Sequence, residues 1–195
     1  DYDYGRPLSF SGTYENLTIE GNLINNGNLY NETVLLRGTS NDISIQDNII
    51  TGGAWGISME GNYHTELHSR NTLILGNHIS GTYYGGIFLN YHFEPRVIGN
   101  IVENESYSGF DGLNIQNCRE EMLITGNRIF SMNGDMGIYL NNCDATWPSF
   151  NGLVSNNMVH VGGTYSAYGI HINACNGTRV TNNSIYLTST YYYPS

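Results

Sequence analysis

One short pattern runs along nearly the whole chain: an aliphatic residue, an Asn three positions later, and a second aliphatic two after that. It occurs at Ile19/Asn22/Ile24, Ile45/Asn48/Ile50, Ile74/Asn77/Ile79, Val97/Asn100/Val102, Ile124/Asn127/Ile129, Val154/Asn157/Val159 and Val180/Asn183/Ile185. Successive Asn positions lie 23 to 30 residues apart. A repeat of that length is the mark of a solenoid, in which each copy buries its apolar side only against its neighbours. A second element follows each Asn and reads Gly-apolar-x-apolar, as in Gly56-Ile57-Ser58-Met59, Gly86-Ile87-Phe88-Leu89, Gly112-Leu113-Asn114-Ile115, Gly137-Ile138-Tyr139-Leu140 and Gly169-Ile170-His171-Ile172. Its apolar residues alternate with period two, so they share one face of a strand. No helix-length amphipathic stretch interrupts the series.

The expected fold is therefore all-β: a parallel β-helix of about seven coils, with two or three short strands per coil. Seven rungs at the ordinary strand spacing of about 4.8 Å make a rod about 34 Å long. Residues 1–195 read as a single β-helix domain and as a segment of a longer chain, because no capping helix is seen at either end and uncapped coils expose pairing edges. The repeated Asn is expected to bond from coil to coil through its amide and to take the left-handed conformation at a sharp bend. The residue before it is also turn-prone: Gly21, Asp47, Gly76, Gly99, Gly126, Asn156 or Asn182.

These rungs closely resemble the repeats of right-handed parallel β-helix proteins, the pectate-lyase-like superfamily with its carbohydrate-binding and sugar-hydrolase relatives. The resemblance implies right-handed winding, which is also the general rule for parallel crossovers. It is specific for fold and weak for activity, since sites are grafted on folds.

Composition narrows the partners. Formal net charge is −10 and all seven basic residues are Arg. Without a basic patch there is little to neutralise phosphates, which argues against nucleic acid, and little to attract a polyanionic sugar. No apolar run approaches the roughly 18 residues of a membrane helix, so no membrane insertion is expected. Asn-x-Ser/Thr sequons at Asn16, Asn31, Asn104, Asn176 and Asn182 suit a secreted glycoprotein, although an Asn-rich chain also produces them by chance.

Cys118, Cys143 and Cys175 each stand three residues beyond the second apolar position of their strand. They should form a column in three consecutive coils, with Cα atoms close enough for a disulfide. The alternative is a row of buried thiols acting as small apolar residues. Ligands in one line cannot surround an ion tetrahedrally, so no metal and no cofactor are assigned. In the insertion "NYHTELHSRN", His64, Glu66 and His68 alternate and would share one side if extended, a very unspecific metal pattern; His92 and Glu94 of the next coil would lie nearby.

Chemistry belongs where the repeat is broken. The loop before each Gly-strand supplies Trp55, Tyr83, Tyr84, Tyr107, Phe110, Phe130, Tyr165 and Tyr168, which stacking would align along one side. Aromatic faces pack the C–H face of sugar rings, but such residues can equally close the core. Outward positions of the Gly-strands are Ser58, Phe88, Asn114, Tyr139 and His171, then Glu60, Asn90, Gln116, Asn141 and Asn173. Such an amide-rich surface suits a neutral or lightly charged glycan, and also a merely soluble sheet.

Asp111 and Asp135 lie in adjacent coils, so their carboxylates are expected about 5–8 Å apart, the range of a glycosidase pair. Here the chain distantly resembles the polygalacturonase family, in which one Asp precedes the Gly of such a strand and a pair of Asp follows on the next coil. Asp111 matches the first and Asp135 half of the pair, with Met136 in place of the other. The family's Gly-His-Gly is replaced by Ala167-Tyr168-Gly169, and its Arg-Ile-Lys by Arg179-Val180-Thr181, so polygalacturonase activity is not carried over. Turn-capping is the alternative role for both carboxylates. A polysaccharide lyase needs an Arg or Lys base; there is no Lys, and Arg70, Arg96, Arg119, Arg128 and Arg179 map mainly to the Asn-strands.

The leading expectation is an extracellular or cell-surface β-helix that binds a polysaccharide or glycan. Asp111 and Asp135 are its candidate catalytic pair, and Trp55, Tyr84, Asn114, Tyr139 and His171 the candidate contacts. The rival is a structural adhesin or fibre segment with coil-stacking self-association.

Overall fold

The computed structural model describes residues 5–64, 67–143, 152–163 and 167–189. Strands β1 to β23, numbered along the chain, wind into three parallel sheets. The first sheet stacks β1 (Leu8–Ser11), β5 (Val34–Arg37), β8 (Trp55–Glu60), β11 (Gly85–Asn90), β15 (Phe110–Gln116), β18 (Gly134–Asn141) and β21 (Tyr168–Asn173). The second, which carries the strands before each Asn, runs from β2 (Tyr14–Glu15) through β6 (Ser40–Gln46), β9 (Ser69–Leu75), β13 (Arg96–Ile98), β16 (Leu123–Thr125) and β19 (Gly152–Ser155) to β22 (Thr178–Thr181). The third stacks β4 (Leu23–Asn26), β7 (Ile49–Gly52), β10 (His78–Ser80), β14 (Ile101–Asn104), β17 (Arg128–Ser131), β20 (Met158–Gly163) and β23 (Ser184–Ser189). The result is an all-β parallel solenoid of about 6 turns, close to the seven coils expected.

The inward residues form continuous apolar ladders. Ile45, Ile74, Val97, Ile124 and Val154 pair in register up the second sheet and are 0% exposed. Ile57, Ile87, Leu113 and Ile138 do the same in the first. Each such side chain contributes about 1.5–3 kcal/mol by burial.

The Asn residues form the coil-to-coil ladder, all seven in one series. Asn77 is typical: its backbone N–H and its Nδ2 both donate to Asn100 Oδ1 at 3.0 Å, and Nδ2 also donates to the Ile45 carbonyl one coil back at 2.9 Å. Here the expectation about the bend is corrected. The left-handed residue is the one before the ladder Asn: Gly21, Asp47, Gly76, Gly99, Gly126, Asn156 and Asn182 have φ of 53–68°. The ladder Asn itself is absent from the left-handed set, because its side chain must point inward to reach the next coil.

The glycine of the Gly-strand has a packing reason. A Cβ on Gly112 would stand 2.5 Å from Ile129 Cγ2 and 2.5 Å from the Gly137 carbonyl oxygen. Gly86 meets Val102 in the same way and Gly137 meets Val159, so third-sheet aliphatics fill the space that these residues leave. Gly112→Ala is expected to lose about 1–3 kcal/mol from overpacking, measured as a lower urea midpoint at unchanged m.

Two sequons, at Asn31 and Asn104, are on residues only 8% and 1% exposed. Asn104 caps its own turn, donating to the Tyr107 carbonyl at 2.8 Å and accepting from two backbone N–H groups, which leaves no room for a glycan there.

Candidate functional site

The outward face of the first sheet carries the candidate residues. Ser58, Phe88, Asn114, Tyr139 and His171 stand in one cross-strand row, and Glu60, Asn90, Gln116, Asn141 and Asn173 in the next, both as the alternation requires. Before them runs a third row, Trp55, Gly85, Asp111, Met136 and Tyr168. Trp55 lies over Gly85, where a Cβ would come within 2.1 Å of the indole, and its ring packs on Phe88 at 5.5 Å. At the other end Tyr168 stacks on His171 at 4.7 Å and Tyr139 meets it at 5.4 Å. Two aromatic clusters thus flank a polar centre.

That centre is built on a bulge. Phe110 pairs with Gly134, but Asp111 pairs with Met136, so Asp135 is the extra residue of β18. Bulges re-aim side chains and recur beside active sites. Asp111 Oδ2 accepts from Asn114 Nδ2 at 2.8 Å, and Asn114 Oδ1 accepts from Gln116 Nε2 at 2.8 Å. Burial pushes the Asp111 carboxyl up to about 6; the bond from Asn114 opposes the shift and the nearby charge of Asp135 adds to it. Adjacent carboxyls whose surroundings hold one protonated form an acid and base pair in outline. His171 contributes a buried Nδ1 with no hydrogen-bond partner.

The remaining expected residues divide. Tyr84, 48% exposed, stands just before β11 and packs on Tyr83, which packs on Tyr107, forming an aromatic edge to the face. Phe110 is fully buried and belongs to the core. Phe130 sits in the third sheet against His160, away from the face. Tyr165 lies outside the described residues. Surface hollows lie elsewhere: about 590 Å³ beside Asn71, Glu94, Arg96 and Glu121, about 410 Å³ at Gly27, Asn28, Leu29 and Tyr30, and about 390 Å³ around Phe130, Met158, His160 and Tyr186. None of these is lined by Asp111 or Asp135.

The extended His64/Glu66/His68 strip is corrected. Leu67 donates its N–H back to the His64 carbonyl at 2.9 Å, and the two rings part. His64 is exposed beside Tyr63, whereas His68 is 3% exposed and packs on Tyr91 and Phe93. Glu66 lies outside the described residues. The next coil's His92 is fully buried, its Nδ1 2.8 Å from Thr72 Oγ1, and burial lowers it to about 4.

The thiols do form a column, joined by no disulfide. It copies the Asn ladder: the residue before each thiol, Asn117, Asn142 or Ala174, is left-handed with φ of 49–52°. Cys143 N–H donates to Cys175 Sγ at 3.2 Å, and Cys143 Sγ donates back to the Ile115 carbonyl at 3.4 Å. Its neighbour Cys118, with burial, pushes the Cys143 thiol up to about 12.

Neither the curated proteins nor the solved structures gave a significant match. A protein-family comparison did: the family described as "Periplasmic copper-binding protein (NosD)" matches residues 66–193. That description agrees, in a coarse sense, with the extracellular or surface setting expected from the sequence. With coils and match together covering most of its length, the chain belongs to the NosD family, a right-handed parallel β-helix family of the pectate-lyase-like superfamily.

Proposed function

We propose that the outward face of the first sheet binds a neutral or lightly charged glycan and that Asp111 and Asp135 act on a glycosidic bond there. The observation that carries this is a desolvated carboxyl, Asp111, beside a second carboxyl and between two aromatic clusters. Trp55 with Phe88, and Tyr139 with Tyr168 and His171, offer ring faces to successive sugars. Gln116 and Asn141, both partly exposed, offer polar groups to hydroxyls, while Asn114, buried, holds Asp111. Asp111, which keeps its proton up to about pH 6, gives it to the leaving oxygen, and Asp135 takes a proton from the attacking water. Tyr139→Ala should weaken retention on an immobilised neutral polysaccharide about tenfold, the worth of one ring contact. Equal retention of variant and wild type, or no retention of either on any polysaccharide, removes the reading.

A second reading comes from the family's description, which names copper. All six His, three Cys and five Met of the chain fall within the described residues. Among the described residues no three His, Cys, Asp or Glu converge on one point, so a closed multi-ligand site does not fit. The stacked thiols do fit a soft, monovalent ion of low coordination number. The rival of coil stacking keeps one supporting feature: inward positions Val180, Ile185 and Leu187 of the last described coil are 45%, 49% and 46% exposed.

A further inference from the structure

We propose that Cys143 and Cys175 form a two-coordinate site for cuprous ion, bridging two neighbouring coils. The inference rests on the copper reading and deepens it; it is independent of the glycan face. The two cysteines are held as neighbours by the backbone around them. Asn142 N–H donates to the Asn173 carbonyl at 3.0 Å, and Asn176 N–H donates to the Cys143 carbonyl at 3.2 Å. The register is fixed by Asn141 opposite Asn173 in the sheet just before. The two cysteines stand two residues beyond β18 and β21, and coils stacked in register are about 4.8 Å apart. A linear sulfur–metal–sulfur unit, at about 2.3 Å per thiolate bond as for zinc, spans about 4.6 Å. A line of ligands cannot enclose a tetrahedral ion, yet it is the right arrangement for an ion that needs only two. Thiolates select cuprous ion over harder cations.

One of the two sulfurs already has a backbone donor aimed at it. Cys143 N–H points at Cys175 Sγ at 3.2 Å, a bond that strengthens when the sulfur is ionised. Cys175 is partly exposed, whereas Cys118 and Cys143 are each 1% exposed, so an ion reaches the pair from the Cys175 side. Cys118, two coils from Cys175 and 1% exposed, lies at the buried end of the column, so the pair nearer solvent is the one assigned. On binding, each of the two thiols releases one proton to solvent and two sulfur–copper bonds form. The ion enters and stays cuprous, so no electron is transferred and no oxidant is required.

The test is an anaerobic titration of the full chain with cuprous ion against a chromogenic chelator. It is read together with the near-ultraviolet thiolate-to-copper band and X-ray absorption at the copper edge. The wild type should hold one ion per chain through two sulfurs, and Cys118→Ser should match it. Cys175→Ala, checked for an unchanged thermal melt, should bind at least about 100-fold more weakly, since even loss of a group behind a ligand costs up to that much. Full binding by Cys175→Ala overturns this site but leaves the copper reading standing. Equal loss in a folded Cys118→Ser also overturns the pair. Absence of cuprous binding by the wild type overturns both.

Discussion

Asn100→Ala is expected to destabilise the protein by about 3–5 kcal/mol, a large fraction of the roughly 5–15 kcal/mol that holds a domain folded. Asn100 is 0% exposed and sits mid-ladder. Its Oδ1 accepts from Asn77 N–H and Nδ2, and its Nδ2 donates to the Ile74 and Ile98 carbonyls and to Asn127 Oδ1. Truncation leaves Asn77 N–H and the Ile74 carbonyl buried without those partners, each at about 1–3 kcal/mol. Asn100→Asp separates this account from a mere volume effect. The added oxygen would face three acceptors, at Ile74, Ile98 and Asn127, so the loss should be at least as large near neutrality. It should shrink in acid, where a protonated carboxyl can donate again. Asn22→Ala is the control, because Asn22 is exposed at the ladder's start and donates only to Glu20 and Asn48; about 1 kcal/mol is expected. Urea unfolding of the four proteins reads the series. A loss of equal size at Asn22 and Asn100 would show that the ladder is not what holds the coils in register.

The ladder was legible in the sequence because a solenoid turns a sequence period into a contact. Ile45, Ile74 and Val97 touch because each is one coil from the next, and the same holds for Asn48, Asn77 and Asn100. What the period does not carry is which residue of a turn takes the strained conformation. Both Asn and its predecessor are turn-prone, and only the inward demand on the ladder amide decides that Gly76 or Asp47 takes φ above zero. The Gly-strand glycines are similar: their recurrence is visible, but the reason lies in a contact with another sheet, Gly112 against Ile129.

The candidate face was legible in rows and less so in single residues. Alternation placed Asn114 beside Tyr139 and Tyr139 beside His171 correctly, since strand period and coil period together fix both coordinates. Loop aromatics have no such constraint. Phe110 went to the core and Phe130 to another sheet, because a coil of variable length can turn an aromatic either way. The bulge at Asp135 did leave a trace: "GDMGIYL" has one residue more before its strand glycine than "FDGLNI". The opening over Gly85 left another in the doublet Gly85-Gly86, since only a residue without a side chain accommodates the Trp55 ring.

On the proposed glycosidase reading, Asp111→Asn should abolish most hydrolysis; whatever the activity, it should make the fold more stable above neutrality. The carboxyl is raised from 3.8 to about 6 by burial first, with Asp135 adding. Below pH 3.8 folded and unfolded chains both hold the proton, and Asp111 has no net effect. Between 3.8 and about 6 the unfolded chain has lost the proton and the folded chain keeps it, so stability falls as pH rises; above about 6 the deficit is constant. Its full size is about 2–3 kcal/mol, from the two-unit shift. Asn at 111 carries no charge and still offers Oδ1 to Asn114 Nδ2, so the variant should gain about 2–3 kcal/mol over wild type at pH 8 and nothing at pH 3. Hydrolysis, by contrast, should drop about 10²–10⁴-fold, the usual worth of a general acid. Thermal melts of both proteins from pH 3 to 8 measure the difference directly, because every other carboxylate is common to the two. Parallel curves would mean that Asp111 is not a desolvated acid. Hydrolysis undiminished in the variant would remove Asp111 as the proton donor even if the curves diverge, and would leave the face as a binding surface alone.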